Sequence, residues 1–440
     1  MINNFIKNSI KSKQNIPVLL YNNKYIFDDN EKCEIFGNYF SEIFINNFGT
    51  NNKKPEFTLN IKNTLEDIDF DIITVANTLK NLPNKNSTTQ NDISYKILKN
   101  CHDILAPTLC ELFRNSLDSG DIPDKWKNSI IIPIYKNGNR ACIQNYRPIS
   151  LTSTTCRVFE KILASEILKF LLENDLISKH QFGFLPKRST TTQMILTLTK
   201  WYEGLINNQN IDIIYVDFQK AFDKVPINYL LEKLYTYGIR GKIHKWITNF
   251  LQNRTFSVGI KDEKSKTFTT HSGVPQGTIL APLLFTIYIN DLPTRLGPNI
   301  SPSLYADDLK ITYSYKTNDS LLQEKLNILT EWAKGWGLNI ALNKSFTLYI
   351  GSKNPKKSYK LEDHHLQEMS IIRDLGILVD NNLSFNKHIK TISRNAFLRC
   401  HQLLRIIHTY NPKFGAIYLK PMYFQYSNTH HLYGTLSKKF

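Results

Sequence analysis

The sequence predicts an α+β fold, and two kinds of stretch carry that expectation. Apolar residues recurring at three and four mark helices, as in Glu31–Phe44 and Leu321–Trp336. β-rich runs that meet at turns mark hairpins, as in Ser129–Lys136 with Asn145–Leu151, and in Leu304–Tyr313. A third observation is negative: no repeat runs at a fixed period, and there is no P-loop or glycine-rich nucleotide fingerprint. With 440 residues the chain has room for two or three domains or one multi-lobed unit. Its 41% hydrophobic content, with 25 Phe and 22 Tyr, is that of a folded protein with a real core.

Charge narrows the partners. Lys and Arg number 55 against 38 acids, a net charge of +17 and a pI near 9.3, which favours a polyanion: nucleic acid or an anionic membrane. The longest apolar run, Ile279 to Ile289, is interrupted by Pro282 and falls short of the ~20 residues a spanning helix needs. Met1–Ile10 lacks the apolar block of a signal peptide. Membrane therefore drops and nucleic acid rises. The six cysteines form no Cys-x-x-Cys pair and no Cys/His spacing, so neither zinc nor disulfides are suggested, and a reducing, intracellular setting, nuclear or cytoplasmic, fits.

Residues 1–105 read as a helical N-terminal extension. Glu31–Phe44 follows an Asp28-Asp29-Asn30 cap, and a second helix spans Ile68–Leu82 up to Pro83. Pro107–Gly120 is a further helix. The pattern then turns to strands: Ser129–Lys136, the Asn137-Gly138 turn, a short loop, and the partner Asn145–Leu151. Lys136 and Arg147 thus share one hairpin. Two such cations suit a triphosphate, Lys as a point charge and Arg by bidentate contact, although two solvated surface charges would look the same.

Helices Arg157–Asn174 and Thr191–Asn207 flank a glycine-containing loop at His180–Phe184. Ile211–Phe218 is an apolar strand whose end carries Asp217, a carboxylate placed either for a site or as a helix cap. Helices follow at Asn228–Tyr237 and Ile243–Leu251, then a hairpin of Thr255–Ile260 with Lys266–Thr270. Gly273-Val274-Pro275-Gln276-Gly277 lets backbone approach a ligand and leads into a buried helix, Thr278–Leu292. Past Leu321–Trp336, strands are expected at Asn339–Ile350 and Ile371–Val379, and the remainder of Lys353–Phe440 is basic and helical in patches.

The chain is organised around Leu304-Tyr305-Ala306-Asp307-Asp308, a strand, a tight turn and a returning strand that holds two acids at a hairpin tip. Adjacent carboxylates repel, so their ionised form calls for a cation, and hard oxygens on a preformed turn suit Mg²⁺. Asp-Asp taken alone is equally a turn former.

Five motifs in order resolve these alternatives. Asn145-Tyr146-Arg147-Pro148-Ile149-Ser150-Leu151, then Gln181-x-Gly183-Phe184 with Arg188-Ser189-Thr190, Asp217-Phe218-Gln219-Lys220-Ala221-Phe222-Asp223, Gly273-Val274-Pro275-Gln276-Gly277 and Tyr305-Ala306-Asp307-Asp308 resemble the reverse transcriptases of non-LTR retrotransposons, jockey and CR1 types above all. The likeness covers Ile122 to Asp380, and Glu31–Phe44 resembles the linker that precedes such polymerases.

The resemblance implies a right-hand polymerase of fingers, palm and truncated thumb that copies an RNA template into DNA from a DNA primer and dNTPs, using two Mg²⁺ ions. It divides the chain into the extension at 1–105, fingers and palm at 106–380, and a partial, basic, helical thumb at 381–440. Carried over by position, Asp217, Asp307 and Asp308 match the palm acids that hold metal, and Lys344 the lysine proposed to protonate pyrophosphate. Phe222 matches the ring that excludes a 2′-hydroxyl and Gln276 the residue touching the nucleotide. Lys136 and Arg147 match the fingers cations, and Leu375-Gly376 resembles the primer-grip hairpin.

Departures are mild near the site. Ser87–Ile93 stands where the family has a Gly-Pro-Asp-Gly-like turn, and Thr278 and Ala281 replace the commoner Ser and Gly. The expected upstream endonuclease does not precede Met1 and the thumb is short, so the chain reads as a partial copy of an element. Two rival functions follow: a catalytically silent nucleic-acid-binding fragment, and a metal-dependent nuclease, which would have no use for Phe222 or the Pro275-Gln276 loop.

Overall fold

The computed structural model describes residues 16–44, 57–85, 92–316 and 320–406. The first element among the described residues is a hairpin the sequence did not predict, β1 (Leu19–Tyr21) and β2 (Lys24–Ile26), turned by Asn22 and Asn23 at φ +49° and +60°. Asparagine tolerates that left-handed setting, which is the signal that was there to find. Helix α1 (Asp29–Ile43) starts where Asp28 accepts the Glu31 N–H at 2.8 Å. Next come α2 (Ile72–Lys80), capped by Asp71, then α3 (Tyr95–Asn100) and α4 (His102–Ser119), which ends at Gly120 with φ +74°. Helix α4 begins earlier than Pro107, which lies inside it; Ala106 joins Leu109 and Phe113 in the core, and that burial outweighs the lost N–H.

A short α5 (Asp124–Lys127) leads into β3 (Asn128–Tyr135) and β4 (Tyr146–Leu151), then α6 (Thr154–Glu173) and α7 (Thr190–Ile206), the latter opened by a Ser189/Thr192 capping box. After β5 (Asn210–Val216) come α8 (Ile227–Thr236), α9 (Gly241–Leu251), β6 (Thr255–Ile260), β7 (Glu263–Lys264) and β8 (Phe268–Thr269). The single helix expected at Thr278–Leu292 is two, α10 (Leu280–Ile289) and α11 (Leu292–Leu296). They part at Asn290 and Asp291, whose side chains turn to Tyr237 and to Lys233 and Trp332. Strands β9 (Ser301–Tyr305) and β10 (Asp308–Tyr315) form the central hairpin, and α12 (Leu321–Trp336) follows, closed by Gly337 at φ +75°.

Then come β11 (Phe346–Ile350), β12 (Lys360–Leu361), β13 (His364–His365), β14 (Gln367–Glu368), β15 (Ile371–Asp374), β16 (Ile377–Asp380) and α13 (Asn386–Ile406). The strand expected at Ile371–Val379 is thus a hairpin, folded back at Leu375 and Gly376 with φ +46° and +93°. The Ser87–Asn91 part of the unusual turn and the 407–440 part of the expected thumb lie outside the described residues.

Two five-stranded sheets result, with strand orders β14-β11-β5-β10-β9 and β4-β3-β6-β7, the latter with β8 also on β6. In the first, the central sheet, Leu309 pairs with Val216 and Tyr315 with Asn210, so β5 and β10 run antiparallel along their whole length. One face of that sheet (Ile214, Val216, Leu309, Ile311) packs on apolar residues of α6, α8, α9, α10 and α12. The other (Ile211, Ile213, Leu348, Ile350) packs on Met194, Leu198 and Trp201 of α7 and on the β15–β16 hairpin. Burial on both faces explains why β5 is apolar from Ile213 to Val216, while its buried Asp212 accepts hydrogen bonds from Tyr315, Tyr359 and Asn354. Helix α1 covers the second sheet, with Phe36 and Phe40 against Phe256 and Val258. Among the described residues no helix is long and apolar enough to cross a membrane.

Candidate active site

Three acids come together at one end of the central sheet. Asp217 follows the last residue of β5 and Asp308 is the first of β10; since Leu309 faces Val216, the two acids leave neighbouring strands side by side. Asp307 lies in the two-residue turn between Tyr305 and Asp308, which pair with each other. Asp217 is held by its backbone, its carbonyl taking the Ala341 N–H at 2.7 Å, while Lys344 Nζ stands 3.9 Å from its Oδ2.

Burial pushes the Asp307 carboxyl up, and Asp217 adds to this, while Arg147 and Lys136 oppose it. Asp308 is pushed up to about 6, by burial of its carboxyl first and then by Asp307, Asp217 and Asp374. The residue as a whole still reaches solvent, and the three neighbouring carboxylates further disfavour its ionised form. Among the described residues no three Asp, Glu, His or Cys side chains are gathered into a ready-made metal cage. The donors themselves, three carboxylates at one sheet end, are of the hard-oxygen kind that a divalent cation takes.

Lys136 and Arg147 lie near the same acids. Arg147 sits opposite Ile134, and Lys136, just beyond β3, donates its N–H to the Asn145 carbonyl at 2.8 Å. The connecting loop is longer than a simple Asn137-Gly138 turn, since it includes a helical turn at Ile143–Asn145. Burial and then Arg147 lower the Lys136 pKa, with Asp217 and Asp307 pulling the other way, so both cations lie in the field of the acids.

Phe222 is half-buried, stacked on Phe285 at 4.3 Å and edge-on to Phe184 at 6.2 Å. Val274 donates to the Phe222 carbonyl and Gly273 to that of Val225, both at 2.8 Å, which zips the 272–277 loop to the 222–225 segment. Gly273 is obligatory: at φ +88°, a Cβ there would lie 2.6 Å from the Asp223 carbonyl. Gln276 donates to buried Asp223 at 2.8 Å, and its carbonyl accepts the Ser150 N–H of β4 at 2.7 Å. The loop therefore joins the two sheets.

Leu375 and Gly376 form the tip of the β15–β16 hairpin. Its Asp374 accepts from Lys310 Nζ at 2.6 Å and from the Tyr215 hydroxyl at 3.0 Å, all three on the sheet face that carries Asp217 and Asp308. The sequence reading assigned no role to Asp223, Lys310 or Asp374. Asp223 lay within a recognised motif; nothing in the sequence joined Lys310 to Asp374.

Residues 134–378 match the family model described as "Reverse transcriptase (RNA-dependent DNA polymerase)". The chain belongs to that family. This reverse transcriptase family member is 28% identical over 349 residues to the "Probable RNA-directed DNA polymerase from transposon BS" of Drosophila melanogaster, a match covering 75% of the chain and 38% of the relative. It is 26% identical over 334 residues to the "RNA-directed DNA polymerase from mobile element jockey" of the same species, covering 73% and 36%. A type-1 retrotransposable element R2 polyprotein of Nasonia vitripennis is 24% identical over 262 residues, covering 58% and 25%. The reverse transcriptase chain spans little more than a third of the length of the first two relatives.

Proposed function

We propose that the chain is the polymerase part of a non-LTR retrotransposon and copies an RNA template into DNA by nucleotidyl transfer. In this reading the β3–β4 sheet is the fingers, the central sheet the palm, and the chain from residue 381 the start of a thumb, after an extension over 1–105. The observation that carries it is the meeting of Asp217, Asp307 and Asp308 at one sheet end, under the field of Lys136 and Arg147 from the other sheet.

Asp217, Asp307 and Asp308 would hold two Mg²⁺ ions, which would supply charge neutralisation for the triphosphate and a more acidic primer 3′-hydroxyl. The chain's own residues do the rest. Lys136 and Arg147 grip the triphosphate, Phe222 lies beneath the sugar, and Gln276 touches the nucleotide from a loop pinned to the fingers. Lys344, beside Asp217, is placed to give a proton to departing pyrophosphate. Leu375 and Gly376 hold the primer end. The net charge of +17 supplies template affinity through phosphate contacts.

Primer extension on an RNA template with the purified chain is the test. Asp217→Asn and Asp307→Asn should each abolish extension and leave RNA binding nearly intact. A parent that binds RNA but extends no primer would be a silent binding fragment instead, and a mutant extending near the parental rate would remove its acid from the metal set.

A further inference from the structure

The carboxamide of Gln181 is fully buried against the turn that carries Asp307. Its Oε1 accepts from the Ala306 N–H at 3.0 Å and from the Gly183 N–H at 2.8 Å, and its Nε2 donates to the Ala306 carbonyl at 3.3 Å. One side chain thereby satisfies both backbone groups of a single residue, as a neighbouring strand would.

Ala306 is the residue that needs such support. It is the first of the two turn residues and sits at φ +58°, a setting that glycine adopts freely and alanine does not. Asp307 is the second. Whatever fixes the Ala306 peptide therefore fixes the direction in which the Asp307 carboxylate leaves the backbone.

Gln181 is itself held in place. It bridges Leu304; Phe182 donates to the Leu304 carbonyl at 2.8 Å and Leu304 to that of His180 at 2.8 Å. Arg188 donates to the carbonyls of Ser178 and Gln181. A Cβ at Gly183 would lie 2.3 Å from the Ala306 nitrogen, so the chain here touches the turn directly.

We propose that Gln181 is a positioning residue that aims Asp307 at the divalent cation; the inference rests on the polymerase reading. A carboxamide is what the task demands. Glutamate could accept from both N–H groups but could not donate to the Ala306 carbonyl, and it would bury a charge beside Asp307; methionine fills the space and bonds to neither.

The full chain tests this in three variants: Gln181→Met, Gln181→Asn, whose carboxamide is one methylene too short, and Gln181→Met/Ala306→Gly. Each is compared with the parent for Mn²⁺ binding by electron paramagnetic resonance, for the Mg²⁺ concentration that half-saturates primer extension, and for RNA binding and thermal melting. The single variants should weaken Mn²⁺ binding and raise the half-saturating Mg²⁺ by about 10- to 100-fold, the range for partners of metal ligands. RNA binding should hold, since it rests on distributed phosphate contacts. The double variant should recover metal binding, because glycine keeps the positive φ unaided. Unchanged metal affinity in either folded single variant overturns the proposal. So does a loss that Ala306→Gly fails to restore, which would make Gln181 a general packing residue. A parent that neither binds Mn²⁺ nor extends a primer overturns the polymerase reading itself, and that result is seen before any variant is compared.

Discussion

Gln276 Nε2 donates to Asp223 Oδ1 at 2.8 Å, so the 272–277 loop is tied to a carboxylate with almost no solvent contact. Burial pushes that carboxyl up to about 7; Gln276, Lys220 and Arg147 pull it down and Asp307 pushes it further up. Between about pH 4 and 7 the folded chain therefore holds a proton that the unfolded chain, whose aspartate has an ordinary value near 3.8, has lost. Stability contributed by this proton is present at acid pH and falls as the pH rises from about 4 to about 7, by at most on the order of 4 kcal/mol. Asp223→Asn keeps an acceptor for Gln276 and should flatten that slope. Denaturant unfolding of parent and variant at mildly acid and mildly alkaline pH checks it: the variant gains relative stability on the alkaline side, and parallel curves refute the assignment.

Phe222 stacks on Phe285, so its ring has a packing role whatever else it does. Phe222→Val keeps part of that packing and opens the space beneath the sugar. The ratio of ribonucleotide to deoxynucleotide incorporation should rise roughly 10- to 200-fold, the range for a steric pocket. An unchanged ratio with intact activity leaves Phe222 as core alone.

Arg147 and Lys136 lie on one hairpin and share the field of the acids, but only Arg147 offers a planar fork to two phosphate oxygens. Arg147→Ala should raise the KM for dNTP by about 10- to 100-fold, the worth of a charged hydrogen bond. Lys136→Ala should do less, and Arg147→Lys should rescue only in part. Template affinity should barely move. Weakened RNA binding with normal dNTP dependence would place the pair on the template track.

Lys310 and Asp374 form an ion pair buried between β10 and the β15–β16 hairpin. Asp374→Leu alone strands a buried ammonium and should destabilise the chain by about 3–5 kcal/mol, whereas Lys310→Met/Asp374→Leu should return most of it. Chemical denaturation of the three proteins decides: a double variant no better than the single one means the two residues do not act as a pair.

What the sequence disclosed follows the range of the interactions involved. Leu321–Trp336 was readable to its last residue because its apolar stripe is regular and Gly337 stops it. The Asp307-Asp308 turn was readable because both acids and both strands are contiguous. At Leu375-Gly376 the local pattern read as one strand, since leucine gives no turn signal and glycine alone is weak, and only the family resemblance pointed to a hairpin there. The break at Asn290-Asp291 was hidden for another reason: those side chains leave the helix for Tyr237, Lys233 and Trp332, partners 41 to 58 residues away. Lys310 meets Asp374 across 64 residues and Gln181 meets Ala306 across 125, and no local pattern announces contacts of that range.

One contact at the rim of the second sheet couples two positions far apart in the chain. A Cβ on Gly37 of α1 would meet the Phe268 ring at 2.3 Å, and Phe268 in turn stacks on Phe256 at 5.4 Å. A side chain larger than hydrogen at position 37 requires the Phe268 ring to move aside or to be smaller, so the sizes of the two residues are coupled. Wherever related elements carry a larger residue at the one, a smaller residue at the other would show that helix α1 lies on the same sheet there at the same close distance.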